Sequence, residues 1–282
     1  MLECVVNVSE GRRHDVIDAI AGACGSSLLD VHSDADHHRS VFTLAGPGER
    51  DAEDAARALA RAAADRIDIS LHDGVHPRFG AVDVVPFVAL DGDVGAAVDA
   101  ARAFAEWIAD ELAVPAFLYD DADGEGRSLP DVRRDAFTRR PPDHGPDEPH
   151  PSLGTVAVGA RSPLVAVNCT LDNDDLALAR AIAAQVRERD GGLPGVRALG
   201  FGLASRNRAQ VSMNVTRLAA CGVERACTAV RRLAYEGGAD VDGVELVGLL
   251  PAAELARAGP EFLAWAGFGP DDTIESRLAA TP

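Results

Sequence analysis

Apolar positions in the first ninety residues switch between two periods. Residues 3–9 read as a strand, residues 12–24 place Val16, Ile17 and Ile20 at helical spacing, and residues 27–31 and 39–44 read as two further strands. A polar loop, HSDADHH, joins the last pair. Residues 50–67 predict an alanine-rich helix with acids in its first turn, where the helix dipole favours negative charge. Residues 81–90 supply another strand, which completes the order βαββαβ, the split arrangement of ferredoxin-like sheets. An amphipathic helix over 94–112 and a short strand over 116–119 follow.

Residues 120–150 are rich in Asp, Arg and Pro and read as a long connecting loop. Beyond it the pattern repeats. Strands are expected at 164–171, 196–203, 210–215 and 244–250, with helices at 174–189 and 223–235. The tail after Pro251 reads as a short helix with irregular segments. The expectation is an α+β protein of two ferredoxin-like βαββαβ subdomains, residues 1–155 (with the connecting loop 120–150) and 156–282, with a ligand cleft or tunnel between them.

At 282 residues and 47% hydrophobic content the chain can bury a substantial core. No apolar run reaches membrane-spanning length and the N-terminus lacks a signal-peptide pattern, so a cytoplasmic protein is expected. The five cysteines are scattered and form no C-x-x-C pair, which argues against a disulfide framework or a zinc knuckle. Cys4, Cys24 and Cys169 lie in or beside apolar runs and read as small buried hydrophobes. A net charge of −18 argues against nucleic acid or an anionic membrane as partner. The sequence contains no lysine, so all 27 basic side chains are arginine. Schiff-base, pyridoxal phosphate and Walker-type chemistry, which need lysine, are excluded. Any carboxylate must be held by guanidinium groups, whose planar fork suits the task.

The densest chemistry lies in residues 71–87, LHDGVHPRFGAVDVVPF. His76 is the candidate proton carrier, stiffened by Pro77, which biases the residue before it toward extended backbone. His72 is either a substrate contact or a loop residue. Arg78 either holds a substrate carboxylate or pairs with Asp73 or Asp83. Arg39, opening a strand beside the histidine-rich loop, is a candidate carboxylate clamp. Arg161, ahead of Ser162-Pro163, suits an anionic ligand tail, Asn168 and Asn214 need polar partners on their strands, and Arg206 and Arg208 read as hairpin-turn residues. His32, His37, His38, His72 and His76 form a loose cluster with Asp34 and Asp36. Gly74 and Pro77 break the helix that a paired-histidine metal site over His72 and His76 requires, so no metal is expected.

Six stretches together carry a resemblance. ECVVNVSEG at 3–11, HDGVHPRFGAVDVVPF at 72–87, ELAVPAFLY at 111–119, GTVAVGARSPLVAVN at 154–168, RALGFGLASRNRAQVSMNVT at 197–216 and ELVGLLP at 245–251 resemble the glutamate formimidoyltransferase family. The resemblance implies transfer of a formimidoyl group from N-formimidoyl-L-glutamate to tetrahydrofolate in histidine breakdown, by a homodimer. It implies two ferredoxin-like subdomains with a folate tunnel, His76 as catalytic residue and a folate-contacting segment matching Gly159, Ala160, Arg161, Ser162, Pro163, Leu164, Val165, Ala166, Val167 and Asn168. Animal members add a cyclodeaminase domain; this chain ends before one, so deamination of the product is expected from a separate protein. Where animal members have an assisting aspartate, this sequence has His32, and Asp36 or Asp34 is the candidate replacement. Three alternatives stand beside this reading: an N-formylglutamate formyltransferase, a metal-dependent amidohydrolase and a non-catalytic folate-binding protein.

Overall fold

The computed structural model describes residues 1–74 and 78–281. It divides into two compact units, Met1–Ser162 with Thr281, and Pro163–Ala280.

The first unit runs β1 (Leu2–Val8), α1 (His14–Ala23), β2 (Leu28–Asp34), β3 (Arg39–Ala45), α2 (Asp51–Ala64), β4 (Val82–Ala89), α3 (Val94–Leu112), β5 (Ala116–Asp120), α4 (Leu129–Asp135) and β6 (Val156–Ala160). Its sheet has the order β2-β3-β1-β4-β6-β5. β2, β3, β1 and β4 pair antiparallel with one another, whereas β6 runs parallel to both β4 and β5. Leu2, Cys4, Val6 and Val8 of β1 pack with Ile20 of α1, Leu59 of α2 and Phe104 of α3 in one core. A smaller core on other strand positions joins Val84, Phe117, Tyr119 and Ala157 to Val132 of α4. α2 begins with Asp51, Glu53 and Asp54 and ends near Arg61, in accord with its dipole. In α3 the Asp93 side chain caps the Ala96 N–H at 3.2 Å.

The second unit runs β7 (Val165–Leu171), α5 (Leu176–Val186), β8 (Val196–Leu203), β9 (Arg208–Val215), α6 (Val223–Glu236) and β10 (Val241–Val247), then α7 (Ala252–Arg257), α8 (Pro260–Ala266) and α9 (Ile274–Ala280). Its sheet order is β10-β7-β9-β8, antiparallel throughout. Counted within each unit, the first βαββαβ set has its strands in the spatial order 2-3-1-4 and the second in the order 4-1-3-2, one sequence read from opposite edges. The α+β expectation is borne out.

Three expectations change. Residues 120–150 are not a plain loop: they contain α4 and a polar network around buried Asp123 and Arg140, in which Arg127 donates to Asp123 at 2.8 Å and Arg140 to Asp143 at 2.6 Å. A boundary at 155/156 would hand β6 to the second unit, yet β6 pairs with β4 and β5 of the first. The tail holds three short helices, each of six or seven residues and so too brief to show a clear period. All five cysteines are buried and free, and burial pushes the Cys24 thiol up to about 12. No helix among the described residues is long and apolar enough to cross a membrane.

Candidate active site

Three backbone segments of the first unit meet at one corner of its sheet: the exit of β1 into α1, the turn between β2 and β3, and the loop that leads to β4. The last two are packed tightly. A Cβ on Gly74 would sit 2.9 Å from the His37 carbonyl oxygen and 2.6 Å from an Arg78 nitrogen, so only glycine fits there.

Glu10 anchors the first segment. Its side chain is 1% exposed and one oxygen accepts the backbone N–H groups of Gly11, Arg12 and Arg13 at 3.0, 2.9 and 3.0 Å. The other accepts from Arg13 Nε at 2.6 Å. Burial pushes this carboxyl up, but the N–H groups of Arg13 and Arg12 and the Arg13 guanidinium outweigh it, so the group stays below the usual range and is charged. The carboxylate also precedes α1, where the dipole favours it.

His38 closes the β2–β3 turn in the left-handed region, with φ of 50°. Its Nδ1 accepts the Gly11 N–H at 3.1 Å and lies 3.6 Å from Glu10. An imidazole that accepts at Nδ1 while neutral carries its proton on Nε2. Burial, Arg12 and Arg78 lower its pKa and outweigh Glu10 and Asp73, so the ring is neutral. His38 stacks on His72 with centroids 3.9 Å apart and a 30° interplanar angle. His72 Nε2 faces an Arg78 donor at 2.6 Å and the His38 carbonyl at 3.0 Å. Arginine can only donate, and the charge-assisted bond is the stronger, so His72 Nε2 accepts from Arg78, its approach to the His38 carbonyl is a contact without a hydrogen bond, and its proton rests on Nδ1. That Nδ1 is buried and has no hydrogen-bond partner among the described residues.

Asp83, at the start of β4, gathers guanidinium groups. One oxygen accepts from Arg133 of α4 at 2.5 Å and lies 3.6 Å from Arg39; the other accepts the Phe79 N–H at 2.5 Å. Arg39 also donates from Nε to Asn7 of β1 at 2.9 Å. Burial lowers the Arg39 pKa to about 10, with Arg133 and Arg78 adding to the shift and Asp83 opposing it. Arg78 is lowered by burial and by Arg12, again against Asp83. The guanidinium groups of Arg39, Arg78 and Arg133 therefore share the field of the Asp83 carboxylate. Such a site favours a second anion, and a carboxylate matches the donor geometry.

Among the residues singled out in the sequence, Arg39, His72 and Arg78 come together here. Asp36 lies half-buried in the β2–β3 turn, next to His37 and His38. His76 lies outside the described residues. The segment Gly159–Asn168 is divided: Gly159 and Ala160 end β6, Arg161 donates its N–H to the Phe87 carbonyl at 3.0 Å, and Val165 onward belongs to β7. A Cβ at Gly159 would meet the Tyr119 ring at 2.5 Å, a packing reason for glycine there. Asn168 donates to Glu245 at 2.9 Å. No group of three or more His, Cys, Asp or Glu among the described residues is arranged to hold a metal ion.

Glu10 and Arg133 carry the site's geometry but were not singled out from sequence as site residues, and His38 was named only within the loose histidine cluster weighed for a metal. Glu10 sits in what reads as a plain turn. Arg133 lies in the segment read as a connector, where Ser128, Pro130 and the spacing of Leu129, Val132 and Ala136 are the overlooked signs of a helix start.

Comparison with known proteins agrees with this architecture. The "Formiminotransferase domain, N-terminal subdomain" family matches residues 1–161 and the "Formiminotransferase domain" family matches residues 166–267. The chain is 39% identical over 279 residues to the glutamate formimidoyltransferase of Streptococcus pyogenes serotype M1, covering 93% of both. It is 35% identical to the enzyme of that name from Thermoplasma acidophilum, covering 99% of this chain and 97% of the relative. A match to the formimidoyltransferase-cyclodeaminase of Sus scrofa, at 38% identity, spans 92% of this chain and 51% of the pig protein. With both of its units matched and near-full-length relatives at this identity, the chain belongs to the formiminotransferase family.

Proposed function

We propose that the protein transfers the formimidoyl group of N-formimidoyl-L-glutamate to N5 of tetrahydrofolate and releases glutamate. The observation that carries this reading is the near-complete match to proteins named glutamate formimidoyltransferase. The site supports it. A donor with two carboxylates suits a corner where Arg39, Arg78 and Arg133 share Asp83.

In the reaction the N5 lone pair attacks the formimidoyl carbon to give a tetrahedral intermediate. The bond from that carbon to the glutamate nitrogen then breaks. N5 loses one proton and the departing amine gains one, so a single group can carry it. We assign that shuttle to His76, because His38 and His72 each have one ring nitrogen engaged as an acceptor. Arg39 and Arg78, with His72, are assigned to the donor substrate, and the segment from Gly159 to Asn168 to folate. Asp36 is the assigned assistant to His76, in the same turn that carries His38. The same reading makes the protein a cytoplasmic homodimer acting on small molecules in histidine breakdown, without a metal.

Purified protein should release glutamate from N-formimidoyl-L-glutamate only when tetrahydrofolate is present, with no loss on adding chelator. Release without folate would replace transfer by hydrolysis, and chelator sensitivity would restore the metal-dependent reading. His76→Ala should cut turnover by roughly 10²–10⁴-fold, while tetrahydrofolate binding, followed by fluorescence, stays near wild type. Full turnover in that variant removes His76 from the role.

A further inference from the structure

The two hairpins β2–β3 and β8–β9 have turns of equal length, and each ends in a left-handed residue: His38 at φ 50° and Asn207 at φ 49°. Asparagine tolerates this region well and Asn207 is exposed, so the second turn needs no further explanation. His38 holds the same backbone, yet only 13% of its side chain is exposed and it meets Gly11, Glu10 and His72. A bulkier residue kept in that conformation and turned inward points to a task beyond making the turn.

We propose that His38 is a positioning residue: pinned by the Gly11 N–H, its ring holds the His72 ring by stacking where Arg78 can donate to Nε2, so that the remaining Nδ1–H is a donor for an acceptor atom of the substrate. Three observations join here. His38 Nδ1 is fixed as an acceptor at 3.1 Å. The His38 ring confines the His72 ring by a 3.9 Å stack. Arg78 donates to that same Nε2 at 2.6 Å, which leaves the proton on a buried Nδ1 without a partner among the described residues. A buried donor left open loses its water without gaining a bond, and a ligand acceptor restores what is lost. The matching ligand chemistry is a carboxylate oxygen, because Arg78 beside the ring supplies the complementary charge. Among the described residues, the charged groups that act on His38 are Glu10, Arg12, Asp73 and Arg78, two of each sign. His38 therefore has no dominant neighbour to protonate it, and the pair works as donors of hydrogen bonds, not of protons.

This rests on the transferase reading for its substrate, but the ring chemistry is separable from it. Nitrogen-labelled histidine in the full-length protein should show, by NMR at neutral pH, His38 as the Nε2–H tautomer and His72 as the Nδ1–H tautomer. A cationic ring or the opposite tautomer at either position overturns the proposal, whatever the enzyme's substrate. His38→Ala should let His72 populate both tautomers and should lower kcat/KM for N-formimidoyl-L-glutamate by roughly 10²-fold, the scale expected when a substrate-positioning group is misplaced. His38→Asn, with an amide oxygen to accept from Gly11 and the backbone preference shown by Asn207, should recover most of that loss. Tetrahydrofolate binding and the circular dichroism spectrum should match wild type in both variants. Wild-type kcat/KM in His38→Ala, or equal losses in the Ala and Asn variants, would reduce His38 to a turn residue. If the unmodified protein transfers nothing, the function fails while the tautomer result stands or falls by itself.

Discussion

The two units run the same βαββαβ order over antiparallel strands, yet they use their connections differently. In the second unit α6 ends at Glu236 and β10 begins at Val241, and the β8–β9 turn stays exposed. In the first unit α2 ends at Ala64 and β4 begins only at Val82. The described residues of this longer connection reach the exit of β1 and the β2–β3 turn, where they meet Ser9, Arg12 and His38, and Phe79 donates to Asp83. Beyond β4 the first unit also adds β5, α4 and β6, and α4 supplies Arg133. The difference teaches that the repeated scaffold is a frame, and that the candidate site is assembled by long connections laid against short ones.

Variants on the two sides should separate scaffold from site. Asp83→Ala should have the largest effect, leaving Arg39 and Arg133 without their shared carboxylate. A loss of about 3–5 kcal/mol, the scale for breaking a buried pair, is expected in urea unfolding. Asp83→Ala with unchanged stability would show that the arginines do not depend on it. Asp123→Asn should act next, on the segment found only in the first unit. Burial pushes the Asp123 carboxyl up, but Arg127 and Arg140 hold it down to about 2. A folded value below the unfolded 3.8 adds stability above that pH, which disappears as pH falls toward 2. The variant should therefore cost about 2 kcal/mol at neutral pH and flatten the acid limb of the stability curve. An unchanged acid limb would deny the pair its role. Asn207→Ala should do least, costing about 1 kcal/mol for a left-handed alanine without touching transfer. A loss of activity there would break the contrast between the two turns.

Much of the frame was legible in the sequence. Residues 94–112 and 196–203 were read with the bounds that the structure has, because Asp93 caps a long helix and the second is a strand between turn residues. β6 was not read as a strand: all five of its residues are buried, so the run shows no alternation. Arg39, His72 and Arg78 stood out by residue type and place. Their partners did not: Glu10 acts through backbone N–H groups, and His38 through a stack on a ring thirty-four positions away. Tautomers are set by such tertiary contacts, which no local pattern encodes.

The central claim is that a one-carbon group passes intact between two molecules at this corner. The most direct test is to label the formimidoyl carbon of N-formimidoyl-L-glutamate, incubate it with the protein and tetrahydrofolate, and follow the label by mass spectrometry. The account predicts that the label moves to tetrahydrofolate in step with glutamate release. Label recovered in formamide or formate, with tetrahydrofolate unmodified, would contradict it.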